Sequence, residues 1–316
     1  MAKEKKKKGS IVINIFIILL FIVGAGIFTY PTISNYWNEY RNAQLVTKYN
    51  ESVSDLSDDQ YEKLWQEAEE YNAEHKVNTI VDAFNEEDYV LSHPYDEVLD
   101  PNGDGLMGSI EIPKLNLTLA IYHGLSTEVL EKGVGHVEGT SLPIGGTSTH
   151  AVLAGHRGLP SAKLFTDLDR LQKGDIFLLH IYDQVFTYEV DQIHIVEPID
   201  YGLLNIEEGE DLCTLLTCTP YGINTERLLV RGHRIANRSG DNSRITSDAA
   251  KVSTVLVAVG IGIPLLIISF IAVDVSERVP KRKKKSKNRS KNRRRKATIQ
   301  TRAKRIRTKQ TSGRRR

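Results

Sequence analysis

The chain has 316 residues and a formal net charge of +2, a figure that hides a strong segregation of charge. Five lysines precede residue 11, 21 of the 42 basic residues lie in 276–316, and the stretch 31–251 carries 16 basic against 37 acidic residues, a net charge near −21. Two cysteines exclude a disulfide scaffold, and a basic tail directly after an apolar run is read as a topology signal that touches anionic lipid, which argues against nucleic acid as a partner.

Ile11 to Tyr30 contains no charged residue and is long enough to cross a hydrocarbon layer of about 30 Å as a helix. Val252 to Val273 is a second such run; its Pro264, Gly260 and Gly262 would weaken a soluble helix but are tolerated in a membrane. The basic residues outside both runs place both ends in the cytoplasm and the middle outside. The first run lacks a small-x-small cleavage pattern, so it reads as an uncleaved anchor rather than a signal peptide. The expected order is a basic N-terminus at 1–10, a span at 11–30, a helical stalk at 31–84 and a loop at 85–107. A catalytic domain at 108–236, a polar linker at 237–251, a span at 252–273 and a basic tail at 274–316 follow.

In the stalk, Ser57 is a plausible N-cap, and Tyr61, Leu64, Trp65, Ala68 and Tyr71 recur on one face of a helix whose other face is acidic. That face must pack on the domain that follows. The loop at 85–107 is rich in Asp, Asn, Gly and Pro, and loops of this length tend to be functional. Asp100, Asn102, Asp104 and Glu111 meet the spacing of a calcium-binding loop, but the residues after them alternate as a strand, so an acidic turn is the competing reading.

From Gly108 to Arg234 the pattern is one of short strands, at 110–112, 115–121, 150–154, 176–181, 185–190, 193–196, 212–217 and 228–230. A short helix is expected at 126–132 and another over 161–171. The absence of a βαβ rhythm implies a mostly β, mostly antiparallel barrel or sandwich. Cys213 and Cys218 lie in one β run, about 16 Å apart at 3.3 Å per residue, so they cannot bridge. Cys213 fits a small buried hydrophobe. Cys218, at a strand end with Arg227 across a turn, fits a thiol nucleophile beside a cation able to support an oxyanion. The proton carrier must be a histidine: His156 at the end of an apolar strand is the first candidate, His233 its competitor, and His150 a strand residue.

TLLTC at Thr214 to Cys218 resembles the TLXTC signature of sortases, the membrane-bound cysteine transpeptidases of Gram-positive bacteria. AGHRG around His156 and NTERLLVRGHR around Arg227 are similar to the family's other two catalytic segments, in the same order. The resemblance implies a closed eight-stranded sortase-type β-barrel, with an N-terminal helical extension and lid, between two transmembrane helices. It implies Cys218 as nucleophile, His156 as acid/base, Arg227 as the oxyanion or substrate cation, and Thr217 as a residue holding substrate or the histidine loop. No cofactor or metal is implied.

The two spans and the extension resemble the class C, pilus-assembling sortases, whose lid carries an Asp-Pro-aromatic anchor. His93, Pro94 and Tyr95 match the last two of these, with His93 where the family has Asp; Asp82-Ala83-Phe84 is an alternative that lacks the proline. The implied partners are proteins with an LPXTG-like signal, the acceptor Lys of a pilin, and membrane lipid. A housekeeping sortase and a catalytically silent membrane scaffold are the alternatives.

Overall fold

The first apolar run opens a helix that continues well past it. In this computed structural model, α1 spans Ala2–Ser54 and carries Pro31 inside it. Proline withholds one N–H from the ladder, yet the helix goes on as the stalk. The structure describes residues 2–75, 91–92, 94–198 and 200–237, with three isolated helical positions at 262, 266 and 269. The expected second span, linker and tail otherwise lie outside the described residues, as do His93 and Asp82 to Phe84. Along the first run the described side chains face outward, with Phe28 at 85% exposure, as a lipid-facing helix requires.

Ser57 starts α2 (Asp58–Glu74) through a capping box with Gln60, and Asp58 and Asp59 fill its first turn, where carboxylates complement the helix dipole. The apolar face read from the sequence is the packed one. Ala68 and Tyr71 are buried, Trp65 stacks on Phe186, and Tyr61 donates to Asp183 at 2.5 Å.

Eight strands close a barrel: β1 (Leu106–Ile112), β2 (Leu117–His123), β3 (Val134–His136), β4 (Thr149–Ala154), β5 (Ile176–Ile181), β6 (Gln184–Val196), β7 (Asp211–Thr219) and β8 (Glu226–Ile235). Their order is β1-β2-β3-β4-β7-β8-β6-β5. Six of the pairings are antiparallel; β2 with β3 and β4 with β7 are parallel. The helix α3 (Thr127–Lys132), capped by Ser126, makes the crossover between β2 and β3.

Two expectations change. The segments 185–190 and 193–196 are one strand, β6, broken in register between Val190 and Gln192; the bulge aims Asp191 at Arg231. The segment 161–171 is not a helix: it is a series of turns with one 3-10 turn at Leu168–Arg170. Its backbone is bound elsewhere, since Ser34 Oγ donates to the Ser161 carbonyl (2.8 Å) and the Lys163 amide donates to Asn35 Oδ1 (2.7 Å). Phe165 is fully buried, which fixes the loop as a plug.

The calcium reading is not supported by the fold. The Asp100 carboxylate accepts from the amides of Asn102, Asp104 and Gly105, which makes it an acidic turn, and Glu111 stands in β1 opposite Thr118. Among the described residues no group of three acidic, His or Cys side chains is placed to hold a metal.

Candidate active site

Parity along the strands decides what faces what. The ladders align Ala154 of β4 with Leu216 of β7 and Leu229 of β8, and these side chains share a cluster on the outer face of the barrel. One row towards β4's start, on the same face, Val152 aligns with Thr214 and Arg231. Side chains alternate with period two, so the next row in the other direction is 218 and 227. Cys218 and Arg227 are a direct cross-strand pair. The Gly155 amide donates to the Leu216 carbonyl at 3.1 Å, so the contact with β7 carries on one residue past β4, and His156 follows at that end of the barrel. The three residues singled out in the sequence are thus brought to one end of the barrel.

Cys218 is partly exposed and forms no disulfide, whereas Cys213, five residues away on the same strand, is fully buried on the inner face. Burial pushes the Cys213 thiol well above its ordinary value, which makes it inert. Burial also lowers the His156 imidazole below the ordinary histidine value, with Glu131 pulling the other way, so the ring is neutral at pH 7 and able to take a proton. Arg227 is only 7% exposed, and its Nη1 donates to the carbonyls of Asn224 (3.4 Å) and Glu226 (3.3 Å). These bonds hold Arg227 at the start of β8, across the ladder from Cys218, a place from which a guanidinium can support a developing oxyanion.

Thr217 and Thr219 flank Cys218 and face the other way. The Thr217 hydroxyl is buried and donates to the Gly155 carbonyl at 2.7 Å. Arg157 Nη1 donates to Thr219 Oγ1 at 2.8 Å, and its Nη2 reaches Asp169 at 2.5 Å. The residues on either side of the cysteine are therefore tied to the residues on either side of the histidine. Of the two roles considered for Thr217, this bond fits the hold on the histidine loop. The part played by Arg157 was not read from the sequence, although its place next to His156 in AGHRG was the available signal.

The other two histidines weighed as proton carriers lie elsewhere. His150 is buried between the Asn205 carbonyl (2.8 Å) and Thr214 Oγ1 (2.8 Å), and His233 aligns with Leu212, at the opposite end of β8 from Arg227. Arg231 bonds Asp191 at 2.6 Å and Glu207 at 2.5 Å, which pins the β6–β7 connection alongside the outer face.

Of the expected lid residues, Tyr95 is fully buried, its hydroxyl in hydrogen-bond contact with His136 Nδ1 (2.9 Å) and accepting from the Gly124 amide (3.1 Å). His123, His136, Leu153 and Leu215 form one rung across β2, β3, β4 and β7, three residues short of Cys218. Tyr95 sits at that rung on the β2–β3 side, where its ring anchors the extension to the barrel flank. Ser92 is held beside it by Glu138.

A family model described as the sortase domain matches residues 110–235. Among solved structures, sortase C1 of Streptococcus agalactiae is 44% identical at a TM-score of 0.57, with 62% of this chain and 100% of that one covered. Sortase C-1 of Streptococcus pneumoniae is 42% identical at a TM-score of 0.59, with 62% and 100% covered. Among curated relatives, sortase D of Bacillus subtilis is 33% identical over 131 residues, 40% of this chain and 63% of its own length.

Proposed function

Because the chain belongs to the sortase family, with class C sortases among its structural relatives, we propose that it is a cysteine transpeptidase that joins proteins bearing an LPXTG-like signal to a Lys amine of a pilin subunit. The observation that supports this is the direct cross-strand pair Cys218 and Arg227, with His156 two residues past the end of β4, the strand that runs parallel to β7.

In the proposed reaction neutral His156 takes the Cys218 proton as the sulfur attacks the Thr carbonyl of the signal. The oxyanion that forms is stabilised by the Arg227 guanidinium. Collapse of the intermediate breaks the Thr–Gly bond, His156 returns the proton to the departing Gly amine, and a thioester remains. A Lys amine then attacks the thioester, forms the isopeptide bond and releases the thiol. No step needs a metal or a cofactor.

The compartment is part of the proposal. One apolar helix near the N-terminus is long enough to cross a membrane, and the distribution of basic residues argues for both termini in the cytoplasm and the barrel outside. The lid role of 85–107 rests on the class C resemblance, with Tyr95 as its tether. A housekeeping sortase remains the second reading. It would transfer the acyl group to a cell-wall amine instead, and the high identity to sortase C structures favours the pilin reading.

Cells that express only Cys218→Ala should assemble no covalent pilus polymer, while the purified variant melts within a few degrees of the parent, because a partly exposed thiol contributes little packing. Unchanged polymer in those cells would remove the assignment.

A further inference from the structure

The contacts between α1 and the barrel fix which end of the barrel looks towards the membrane. The apolar run ends at Tyr30. Four residues on, about 6 Å along a helix axis, Ser34 and then Asn35 hold the backbone of Ser161 and Lys163. Those residues belong to the loop that starts with His156, and the Phe165 amide of the same loop bonds the His156 carbonyl at 3.1 Å. Only two hydrogen bonds and a short stretch of chain therefore separate the histidine from the membrane-proximal turn of α1. Further up, Asn42 meets the Ala120 amide, and Tyr49, about 28 Å beyond Tyr30, bonds the Met107 carbonyl and the Tyr182 amide. Tyr182 lies at the β5–β6 turn, at the end of the barrel where β7 begins and α2 packs.

The free side of α1 agrees with this direction. Tyr30, Ile33, Trp37 and Tyr40 recur at i, i+3, i+7 and i+10, opposite the buried Asn42, Val46 and Tyr49, and are 55%, 47%, 65% and 49% exposed. An apolar, aromatic stripe continuous with a spanning run is the composition found where a helix passes through the headgroup layer. The occupant of that stripe is lipid, since the same helix already faces lipid one turn below it.

We propose that the barrel is seated on α1 with the His156–Cys218–Arg227 end turned to the bilayer and the β5–β6 turn pointing away from it. This goes beyond the functional reading above and does not depend on it.

The test uses the full chain in liposomes that carry an acceptor dye on the lipid headgroups. In a Cys218→Ala background a donor dye is placed either on Ile223→Cys, in the exposed loop after Cys218, or on Glu208→Cys, in the exposed loop before β7; buried Cys213 does not label. The two sites are separated by the length of β7, about 26 Å at 3.3 Å per residue. Energy transfer should be markedly stronger from position 223; equal transfer, or stronger transfer from 208, overturns the proposal.

Discussion

Replacing Thr217 by valine keeps the shape of the side chain and removes the bond to the Gly155 carbonyl. A buried acceptor left unpaired costs about 1–3 kcal/mol, and here the loosened backbone is the one that carries His156. The expected result is a fall in kcat larger than any rise in KM, with a modest loss of thermal stability; a pure KM effect would return Thr217 to the role of a substrate contact. The sequence placed Cys218, His156 and Arg227 because strand ends, a turn and motif order are local features. It left Thr217 open because which face an odd-numbered residue takes is settled only by the register of β7 against β4. The partner of Tyr95 went unread for a related reason: His136 is 41 residues away, in a three-residue strand with no pattern of its own. The burial of His136 also sets a pH dependence. Burial lowers His136 from 6.5 to about 3, and His150 is lowered by burial too. The unfolded chain takes up these protons near pH 6.5 and the folded chain only well below it. Stability is therefore complete above about pH 6.5 and falls as the pH drops beneath it, by up to about 1.4 kcal/mol per pH unit for each group. Urea melts between pH 7 and 4 should show this slope, shallower in His136→Gln; a flat profile would mean that neither ring is held neutral.

Among the elements, α2 shows how a readable pattern can leave its target unread. Period and cap were both legible, and Ser57 with Gln60 forms the capping box. That its face would close the end of the barrel remote from Cys218 was not, because Trp65 stacks on Phe186 and leans on Tyr182, partners more than a hundred residues on. Trp65→Ala should cost about 3 kcal/mol by denaturant melting, as for other aromatic truncations in packed sites, with free-peptide cleavage retained at a temperature where the variant stays folded. Loss of cleavage in the folded variant would show that α2 acts on the catalytic row rather than on stability. The misread segment 161–171 follows the same logic. Its residues favour a helix locally, but Ser34 and Asn35 claim backbone groups and Phe165 is drawn into the core.

For the whole molecule, a continuous helix, a barrel docked along it and an acidic sequence between two basic ends support the proposed arrangement of a thiol held close to a membrane on a helical stalk. The strand pattern alone was legible as a mostly β domain behind an anchor and left barrel or sandwich open; the motif resemblance carried the closed eight-stranded barrel, which the ladders bear out, while the two parallel pairs were not foreseen. The central claim is that Cys218 forms a thioester with the cleaved signal. Mass spectrometry of the enzyme after brief exposure to an LPXTG-bearing peptide, without an acceptor amine, should find the acyl fragment on the tryptic peptide that contains Cys218, released by hydroxylamine and absent from Cys218→Ala. An adduct that persists in Cys218→Ala, or peptide cleavage with no adduct on Cys218, would contradict the account.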